Sequence, residues 1–385
     1  MSKVFVAAAG LVPVGEHWRK SIADLMTEAS LEAMNQLPDA KPDRIIVGNM
    51  LSAVGAQQEQ LGALLASQLN LVGVPAYTVE AACGSGGAAV HNGYLSIKAG
   101  ESDAVLVCGV EKMKDIDVGK VTGALVMADS AEYTEFPGAT FVSLNAICHA
   151  LYLKKYGVLK EEMAGFPVLG HRNAALSRHA MFKRAITVED VLRSPMISDP
   201  IRLMDSSPVC DGAAALLLLS EAKAKELGAD SVEMVASEVA ANIFSIYERA
   251  DPLDYLATRT AARRAFEKTG LRKEQVDFME IHDAFSVTGA LTLECLGVSK
   301  PGKAPHDVSS GRFDLQGELP INTFGGLKGR GHPVGATGVY QVAETYLQLA
   351  EKADGNQVKG AKLGLAHNMG GVDTTTSVHI LRRAA

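Results

Sequence analysis

The chain has 385 residues, of which 47% are hydrophobic and 21% charged, and its formal net charge is −7. This composition excludes a disordered chain, and the acidic balance argues against a nucleic-acid surface, which needs a basic face. The length exceeds what one ordinary hydrophobic core contains, so two or three domains are predicted.

Short apolar segments alternate along the chain with longer segments of helical periodicity. Strands are predicted at 3–10, 44–50, 103–110, 213–220, 231–237, 276–282 and 361–367. Helices are predicted at 21–37, 86–100 and 258–270. Strands that are apolar on both faces and are separated by helices indicate α/β layering.

Neither the start of the chain nor its longest apolar run has the pattern of a targeting or membrane segment. The apolar start follows a single Lys and runs into a charged segment, which favours a buried strand over a signal peptide. Five cysteines are scattered along the chain, at positions 83, 108, 148, 210 and 295. They form no C-x-x-C pair, which disfavours a zinc site or a disulfide framework and suits a reducing compartment. We therefore expect a soluble, cytoplasmic protein with no metal site and no membrane partner.

Two stretches of the sequence repeat the same order of elements. Residues 30–50 and 262–282 each contain a helix, a short link, an aspartate and a strand, with Asp43 corresponding to Asp277. Two Gly-rich turns that open helices correspond as well, and they pair Cys83 with His332. We infer an internal duplication, which would bring these two helix starts together around a pseudo-twofold axis.

The segment 113–205 interrupts the alternation. It is rich in Met, Ser and basic residues and lacks strand patterns, so it is predicted to be a lid inserted between the fourth and fifth strands of the first half. The chain then divides into a first half (1–112 and 206–228), this insert, and a second half (229–385). Within the insert, residues 171–185 contain four basic side chains and no acid. They form either a solvated loop face or an anion site.

One glycine pattern permits a dinucleotide-binding interpretation. Gly84, Gly86 and Ala89 match G-x-G-x-x-G/A, and Glu111 ends the next predicted strand, where a ribose-binding acid belongs. The match lies far into the chain and has a cysteine in its turn. The same glycines would let a helix start close to any ligand. An NAD-dependent dehydrogenase is thus the weaker alternative.

A nucleophilic cysteine is the stronger interpretation. Cys83 stands at a helix start, where unpaired N–H groups and the helix dipole would lower its thiol pKa and bind an oxyanion of acyl transfer. A cysteine alone in such a turn is more often structural. However, His282, His332, His367 and Asn368 also follow predicted strands or open helices. Such positions converge on one crevice in α/β folds, so we expect an active site there.

The blocks "ACGSG", "HDAF", "GHPVGATG" and "HNMGG", in this order, are similar to the signature motifs of the thiolase superfamily. The similarity covers essentially the whole chain, and its pattern resembles the sterol-carrier-protein-type and archaeal acetoacetyl-CoA branch. The resemblance implies a thiolase-like fold of two duplicated α/β halves in five layers, with an inserted loop domain that covers CoA. It also implies a homodimer or a dimer of dimers.

The resemblance implies an acetyl-CoA C-acetyltransferase, which carries out Claisen condensation or thiolysis through an acyl-cysteine. It makes Cys83 the nucleophile. It implies that His332 takes the thiol proton and later helps to hold the thioester oxygen of the second substrate. His282 would be the second donor to that oxygen, and the backbone N–H groups of Cys83 and Gly370 would form another oxyanion hole.

The sequence departs from the family pattern at the second cysteine, which usually moves the α-proton. Asn368 or a neighbour stands at one of the two places where relatives carry it, and Ala284 stands at the other. The residue that moves the α-proton is therefore not decided by the motifs. His332 and His282 are the favoured candidates, and His367 is the less favoured one. Asn368 and His367 are expected to line the substrate site.

Several ligands and partners are implied as well. Arg172 and Lys183 are candidates for binding the phosphates of CoA, which is a substrate rather than a permanently bound cofactor. The resemblance further implies a small zinc-ribbon and OB-fold partner protein and a downstream HMG-CoA synthase. Two alternatives remain: a condensing enzyme of the ketoacyl-synthase kind with another acceptor, and a non-catalytic subunit that only binds acyl-CoA.

Overall fold

A computed structural model describes residues 2–383. The strands in this range are β1 (Val4–Leu11), β2 (Arg44–Gly48), β3 (Ala76–Val79), β4 (Ala104–Glu111), β5 (Met196–Ser198), β6 (Ile201–Arg202), β7 (Gly212–Ser220), β8 (Val232–Ala241), β9 (Phe278–Glu280), β10 (Leu363–Gly370) and β11 (Thr375–Arg383). The α-helices are α1 (Ile22–Met34), α2 (Ser52–Gly55), α3 (Leu61–Gln68), α4 (Ser85–Lys98), α5 (Val118–Val126), α6 (Phe141–Tyr156), α7 (Lys160–Met163), α8 (Gly165–Ala174), α9 (Val188–Arg193), α10 (Glu221–Glu226), α11 (Leu256–Thr269), α12 (Ser286–Cys295), α13 (Ala304–Ser309), α14 (Gly326–Gly329) and α15 (Thr337–Leu349). Within residues 2–383, no helix has both the length and the apolar character needed to span a membrane.

Nine strands form one mixed sheet in the order β3-β2-β4-β7-β1-β8-β11-β10-β9. The two halves of this sheet meet where β1 pairs with β8 over a short register, 4–6 against 232–234. Outward from this junction the first half runs β1, β7, β4, β2, β3, and the second half runs β8, β11, β10, β9. The strand order is therefore repeated, except that the second half has no counterpart of β3 in the sheet.

Helices complete five layers. α4 and α15 pack against each other and contact strands of both halves, so they form the central layer. α1 and α3 cover the outer side of the first half, and α11 covers that of the second half, with α12 beside it. The predicted α/β fold with two duplicated halves in five layers is confirmed.

The two aspartates that the repeat aligns have the same structural role. The carboxylate of Asp43 accepts hydrogen bonds from the backbone amides of residues 103–104, at 2.7 and 3.2 Å. The carboxylate of Asp277 accepts from the amides of residues 362–363, at 2.7 and 2.9 Å. Each aspartate thus connects the beginning of one strand to that of its parallel neighbour, β2 to β4 and β9 to β10.

Glycines allow the two central helices to approach closely. A Cβ atom on Gly338 in α15 would lie 2.1 Å from the backbone nitrogen of Gly87 in α4. A Cβ atom on Gly86 would lie 2.9 Å from the carbonyl oxygen of Gly335. Any side chain at these positions would push α4 and α15 apart and would therefore also separate their N-terminal ends.

The structure contains strands that the sequence analysis did not predict. β3 lacks an apolar pattern because it is half exposed. β11 begins with polar residues, although it is buried over most of its length. β5 and β6 form a small hairpin inside the insert, so the expectation that 113–205 has no strands is wrong. With two or three residues each, these strands are too short for a hydrophobic pattern. Residues 113–205 lie between β4 and β7 in the chain.

Candidate active site

Cys83 lies in a tight turn between β3 and α4. Ala82 has a φ of +50°, and the hydroxyl of Ser85 closes the turn by donating to the carbonyl of Ala82 at 2.6 Å. The turn rests on Gly370, where a Cβ atom would lie 2.0 Å from the carbonyl oxygen of Ala81. Only glycine fits at position 370, and its backbone therefore lies directly against the cysteine turn.

Cys83 and His332 both line a cavity of about 370 Å³. Much of its remaining wall is apolar and comes from the insert and the second half, including Met113, Ile116, Val118, Val121, Leu125, Phe141, Val142, Ala284, Phe285 and Val334. The thiol side is enclosed, because Cys83 is only 3% exposed and packs among apolar side chains. Trp18 also lines the cavity and is 61% exposed, so it marks the side that is open to solvent.

The hydrogen bonds of His332 define which ring nitrogen carries the proton. Nδ1 lies 2.7 Å from the hydroxyl oxygen of Thr337, and that hydroxyl donates to the carbonyl of Pro333 at 3.0 Å. A hydroxyl has one proton to donate, so Nδ1–H must be the donor of the first bond. Nε2 of the neutral ring is then unprotonated and free to act as a base.

His282 has the opposite tautomer. Its Nδ1 faces the backbone N–H of Met369 at 3.3 Å and the side-chain nitrogen of Asn368 at 3.2 Å. The oxygen of that Asn368 amide accepts from the backbone N–H of Gly87, so the nitrogen is the donor. Nδ1 of His282 is therefore an acceptor and Nε2 carries the proton. The ring centroids of His282 and His332 are 5.1 Å apart, and the rings are nearly perpendicular.

His367 has no nitrogen left for chemistry. Its Nδ1 accepts from the backbone N–H of His282 at 3.3 Å. Its Nε2 lies 2.9 Å from the hydroxyl of Thr258, which donates to Asp373 at 2.7 Å. Because both nitrogens are engaged and the ring is fully buried, His367 orders the backbone of His282 and does not reach the cavity.

Burial determines the protonation states of the reacting groups. Burial, together with the carboxylate of Glu111, raises the pKa of Cys83 to about 12. Burial lowers the pKa of His332 to about 3 and that of His282 well below its usual value. The predicted lowering of the thiol pKa is therefore wrong, because the apolar surroundings outweigh the helix amides. The resting site holds a thiol and neutral imidazoles.

Known proteins share both halves of this architecture. The family model described as "Thiolase, N-terminal domain" matches residues 4–222, and the one described as "Thiolase C-terminal domain-like" matches residues 239–383. The chain belongs to the thiolase family. It is 38% identical to an acetyl-CoA acetyltransferase of Methanothermobacter thermautotrophicus over 385 residues, which cover 100% of both chains. It is 30% identical to sterol carrier protein 2 of Oryctolagus cuniculus, over 96% of this chain and 70% of the relative.

Solved structures have the same fold. The Ltp2-ChsH2(DUF35) aldolase matches this thiolase with a TM-score of 0.85 at 20% identity, over 99% of this chain and 98% of the other. An acetyl-CoA acetyltransferase from Syntrophomonas wolfei matches with a TM-score of 0.76 at 19% identity, over 100% of both chains. At these identities the likeness concerns the fold.

The dinucleotide alternative does not fit this thiolase. Both carboxylate oxygens of Glu111, the candidate ribose-binding acid, are occupied by N–H groups of the protein. Gly86 faces the second half rather than an open phosphate site.

Among residues 2–383, no three or more His, Cys, Asp or Glu side chains are grouped so that they could hold a metal ion.

The two basic candidates for CoA binding lie outside the thiolase cavity. The guanidinium of Arg172 pairs with Asp314, and the ammonium of Lys183 donates to two backbone carbonyls of its own loop. Their role stays a prediction that the cavity does not support. Lys114 lines the cavity instead, and its ammonium lies 2.7 Å from the carboxylate of Glu16.

The sequence analysis also missed Asp211, which supports one wall of the cavity. Its fully buried carboxylate accepts from the backbone amides of Met113 and Lys114, at 2.7 and 2.9 Å. It also pairs with the ammonium of Lys112 at 3.0 Å. An acid placed directly before a long apolar strand was the available signal, because a charge there requires buried partners.

Proposed function

We propose that this thiolase is an acetyl-CoA acetyltransferase that condenses two acetyl-CoA molecules to acetoacetyl-CoA and catalyses the reverse thiolysis. The observation that carries the proposal is the arrangement of three groups. Cys83 and His332, whose Nε2 is free, line an apolar cavity. The ring of His282, which carries its proton on Nε2, lies behind them with its centroid 5.1 Å from that of His332. The archaeal acetyl-CoA acetyltransferase that is 38% identical over the full length supports the substrate.

In the first half-reaction, Sγ of Cys83 attacks the carbonyl carbon of acetyl-CoA while Nε2 of His332 takes the thiol proton. The backbone N–H groups of Cys83 and Gly370 are suited to stabilise the oxyanion, a contribution of about 3 kcal/mol per donor in related sites. The bond between the acetyl carbon and the CoA sulfur then breaks. His332 gives its proton to the CoA thiolate, and an acetyl group remains on Cys83.

In the second half-reaction, His332 is again an unprotonated base and removes the α-proton of a second acetyl-CoA. Its thioester oxygen becomes an enolate oxygen, to which Nε2–H of His282 donates. The enolate carbon bonds to the acetyl carbon on Cys83, and the thiolate leaves and regains the proton from His332. We assign removal of the α-proton to His332 because its Nε2 is unprotonated and not engaged in a hydrogen bond, unlike the acceptor nitrogens of His282 and His367.

Mass spectrometry after incubation with acetyl-CoA tests the first half-reaction. The wild-type chain is expected to gain one acetyl group, and Cys83→Ser to gain none. Cys295→Ser is the matched control, because this cysteine is half buried and lies outside the cavity. A wild-type chain that gains no acetyl group would overturn the proposal and favour a non-catalytic, acyl-CoA-binding subunit.

Condensation with a different acceptor is the second candidate function. It is favoured by the resemblance to the thiolase motifs, which puts Asn368 or a neighbour and Ala284 at the places where other thiolases carry the second cysteine; Ala284 lines the cavity. The acetylated chain is mixed with further acetyl-CoA and the products are separated chromatographically. Formation of acetoacetyl-CoA supports acetyl-CoA acetyltransferase, whereas persistence of the acetyl group favours another acceptor.

We also propose that the thiolase works with a second protein. A fold relative, the Ltp2-ChsH2(DUF35) aldolase, carries two components in its name. The zinc-ribbon and OB-fold character of such a partner, a downstream HMG-CoA synthase, the homo-oligomeric state and a cytoplasmic location stay predictions from the sequence. The same holds for the exact bounds of the two halves and of the loop domain, and for the role of that loop domain in covering CoA.

A further inference from the structure

Glu111 ends β4 beside the active site, and none of the steps above uses it. Its side chain is 0% exposed, and its carboxylate accepts four hydrogen bonds. Oε1 accepts from the side-chain nitrogen of Asn49 at 3.0 Å and from the backbone N–H of Leu51 at 3.2 Å. Oε2 accepts from the backbone N–H groups of Met50 and Gly335, both at 3.1 Å.

These donors belong to both halves of the molecule. Residues 49–51 follow β2 in the first half, and Leu51 packs in the same apolar cluster as Cys83. Gly335 belongs to the second half and lies three residues after His332. A Cβ atom on Gly335 would lie 2.6 Å from Cα of Asn49, so the two loops are in direct contact. The carboxylate therefore fastens the loop packed on the thiol to the loop that carries the base.

The negative charge of Glu111 acts on the Cys83 thiol, and among the described residues no basic side chain forms an ion pair with this carboxylate. The adjacent Lys112 is directed elsewhere, with its ammonium 3.0 Å from Asp211 and 2.8 Å from Asp115. Burial raises the pKa of Glu111 to about 7, against the effect of its four N–H donors. The other acid that acts on Cys83 is Glu80, whose effect is smaller. A buried negative charge near a thiol disfavours the thiolate.

We propose that Glu111 is a positioning residue that holds Cys83 and His332 in register across the two halves and whose negative charge helps to keep Cys83 a thiol in the resting site. A resting thiol resists alkylation and oxidation, whereas a preformed thiolate does not. The proposal depends on the proposed function only for the identity of the reacting groups.

Alkylation of Cys83 by iodoacetamide at pH 8, followed by mass spectrometry of its peptide, tests the role of the charge. Glu111→Gln removes the charge and keeps the shape of the side chain, so alkylation is expected to be about threefold faster or more. Glu111→Asp keeps the charge and withdraws the oxygens from the loops. This variant is expected to alkylate at nearly the wild-type rate. Both variants are expected to lower kcat with little change in KM, because each loses hydrogen bonds to the loop of His332.

Two results would overturn the proposal. One is an alkylation rate of Glu111→Gln no higher than that of the wild type. The other is equal acceleration in Glu111→Asp, which would mean that the site has loosened rather than lost a charge. Alkylation of the buried Cys108 and Cys210 in the same samples reports such loosening directly. The assay uses no acetyl-CoA, so its outcome is independent of whether the acetyl-transfer function is correct.

Discussion

His282 and His332 have opposite roles because the groups that hydrogen-bond to their rings differ. The hydroxyl oxygen of Thr337 accepts a hydrogen bond from Nδ1–H of His332, which leaves the unprotonated Nε2 as a base. Asn368 and the amide of Met369 occupy Nδ1 of His282 and leave Nε2–H as a donor. Both rings are neutral in the resting site, which is consistent with burial that disfavours charge, and His332 becomes charged only while it holds a proton taken from the thiol or the substrate.

The tautomer of His332 is tested by Thr337→Val, which removes the acceptor of the Nδ1 proton. A fraction of the rings will then carry the proton on Nε2, where it blocks the base. We expect kcat to fall about tenfold, because one hydrogen bond contributes about 1 kcal/mol or slightly more. KM is expected to change little. Both constants are measured in the thiolysis direction by the disappearance of acetoacetyl-CoA.

Thr345→Val is the matched control for this experiment. Thr345 is a buried residue of the same helix, α15, and its hydroxyl donates to the carbonyl of Gln341 within that helix. Its replacement is expected to leave kcat within about twofold, because the hydroxyl contacts no reacting group. Equal losses in the two variants would indicate a general effect of the helix and contradict the tautomer assignment.

At the scale of elements, the starts of α4 and α15 carry the thiol and the base. Glycines on both helices allow this approach, and Asn368 at the end of β10 connects to them by accepting from Gly87. The sequence motifs contain these glycines, and all of them are required by the contact between two helices that are far apart in the chain. One motif taken alone does not reveal this contact, so its glycines could suggest a phosphate loop.

Gly338→Ala tests the close approach of the two helices. The added Cβ atom would lie 2.1 Å from the nitrogen of Gly87 and 2.5 Å from the side-chain oxygen of Asn368, so both must move. We expect the free energy of unfolding to fall by about 1–3 kcal/mol or more, measured by urea denaturation with circular dichroism. Activity is expected to fall as well, because Asn368 orients His282.

Gly123→Ala is the control for this substitution. Gly123 lies inside α5, and a Cβ atom there would approach nothing closer than 3.8 Å, the distance to an oxygen of Glu135. Alanine is a better helix former than glycine, so this variant is expected to be up to about 1 kcal/mol more stable. A loss of stability in Gly123→Ala as large as that in Gly338→Ala would refute the packing argument.

At the scale of the whole molecule, buried titratable groups act on stability in opposite directions. Burial raises the pKa values of Glu111 and Asp283 to about 7 and about 6, so the folded state binds these protons first and gains stability as the pH falls. Burial lowers the pKa of His149 to about 4. The unfolded chain then takes the proton first, at about pH 6.5, and the folded state loses stability below that pH.

His149→Leu isolates one of these contributions. His149 is buried in α6, neither ring nitrogen has a hydrogen-bond partner, and the nearby charges are Asp205, Lys160 and Asp199. We expect the variant to gain stability relative to the wild type as the pH falls from 7 to 4, by at most about 3 kcal/mol. Urea unfolding at several pH values measures this difference.

The control is His306→Leu, which replaces an exposed imidazole. Its stability relative to the wild type is expected to vary much less over the same pH range, because this ring is 71% exposed and the carboxylate of Asp307 lies no closer than 3.8 Å. A difference for His149→Leu that does not depend on pH would contradict the argument.

Much of the fold followed from the sequence because most strands are apolar on both faces. Two of the strands that escaped prediction, β3 and β11, begin with or contain polar residues, and their place in the sheet depends on neighbours from distant parts of the chain. In the site, the motifs identified Cys83, His282 and His332. Tautomers and thiol pKa depend instead on packing across the two halves, which no local pattern encodes.

The position of Trp18 also makes the cavity observable. It is the single tryptophan of the chain, it is largely exposed, and it belongs to the cavity wall. The tryptophan fluorescence of this protein, excited selectively over that of its nine tyrosines, therefore comes from one side chain, located where a ligand would enter. A change in its emission on titration with a CoA compound reports occupancy of the cavity without a label and without background from other indoles.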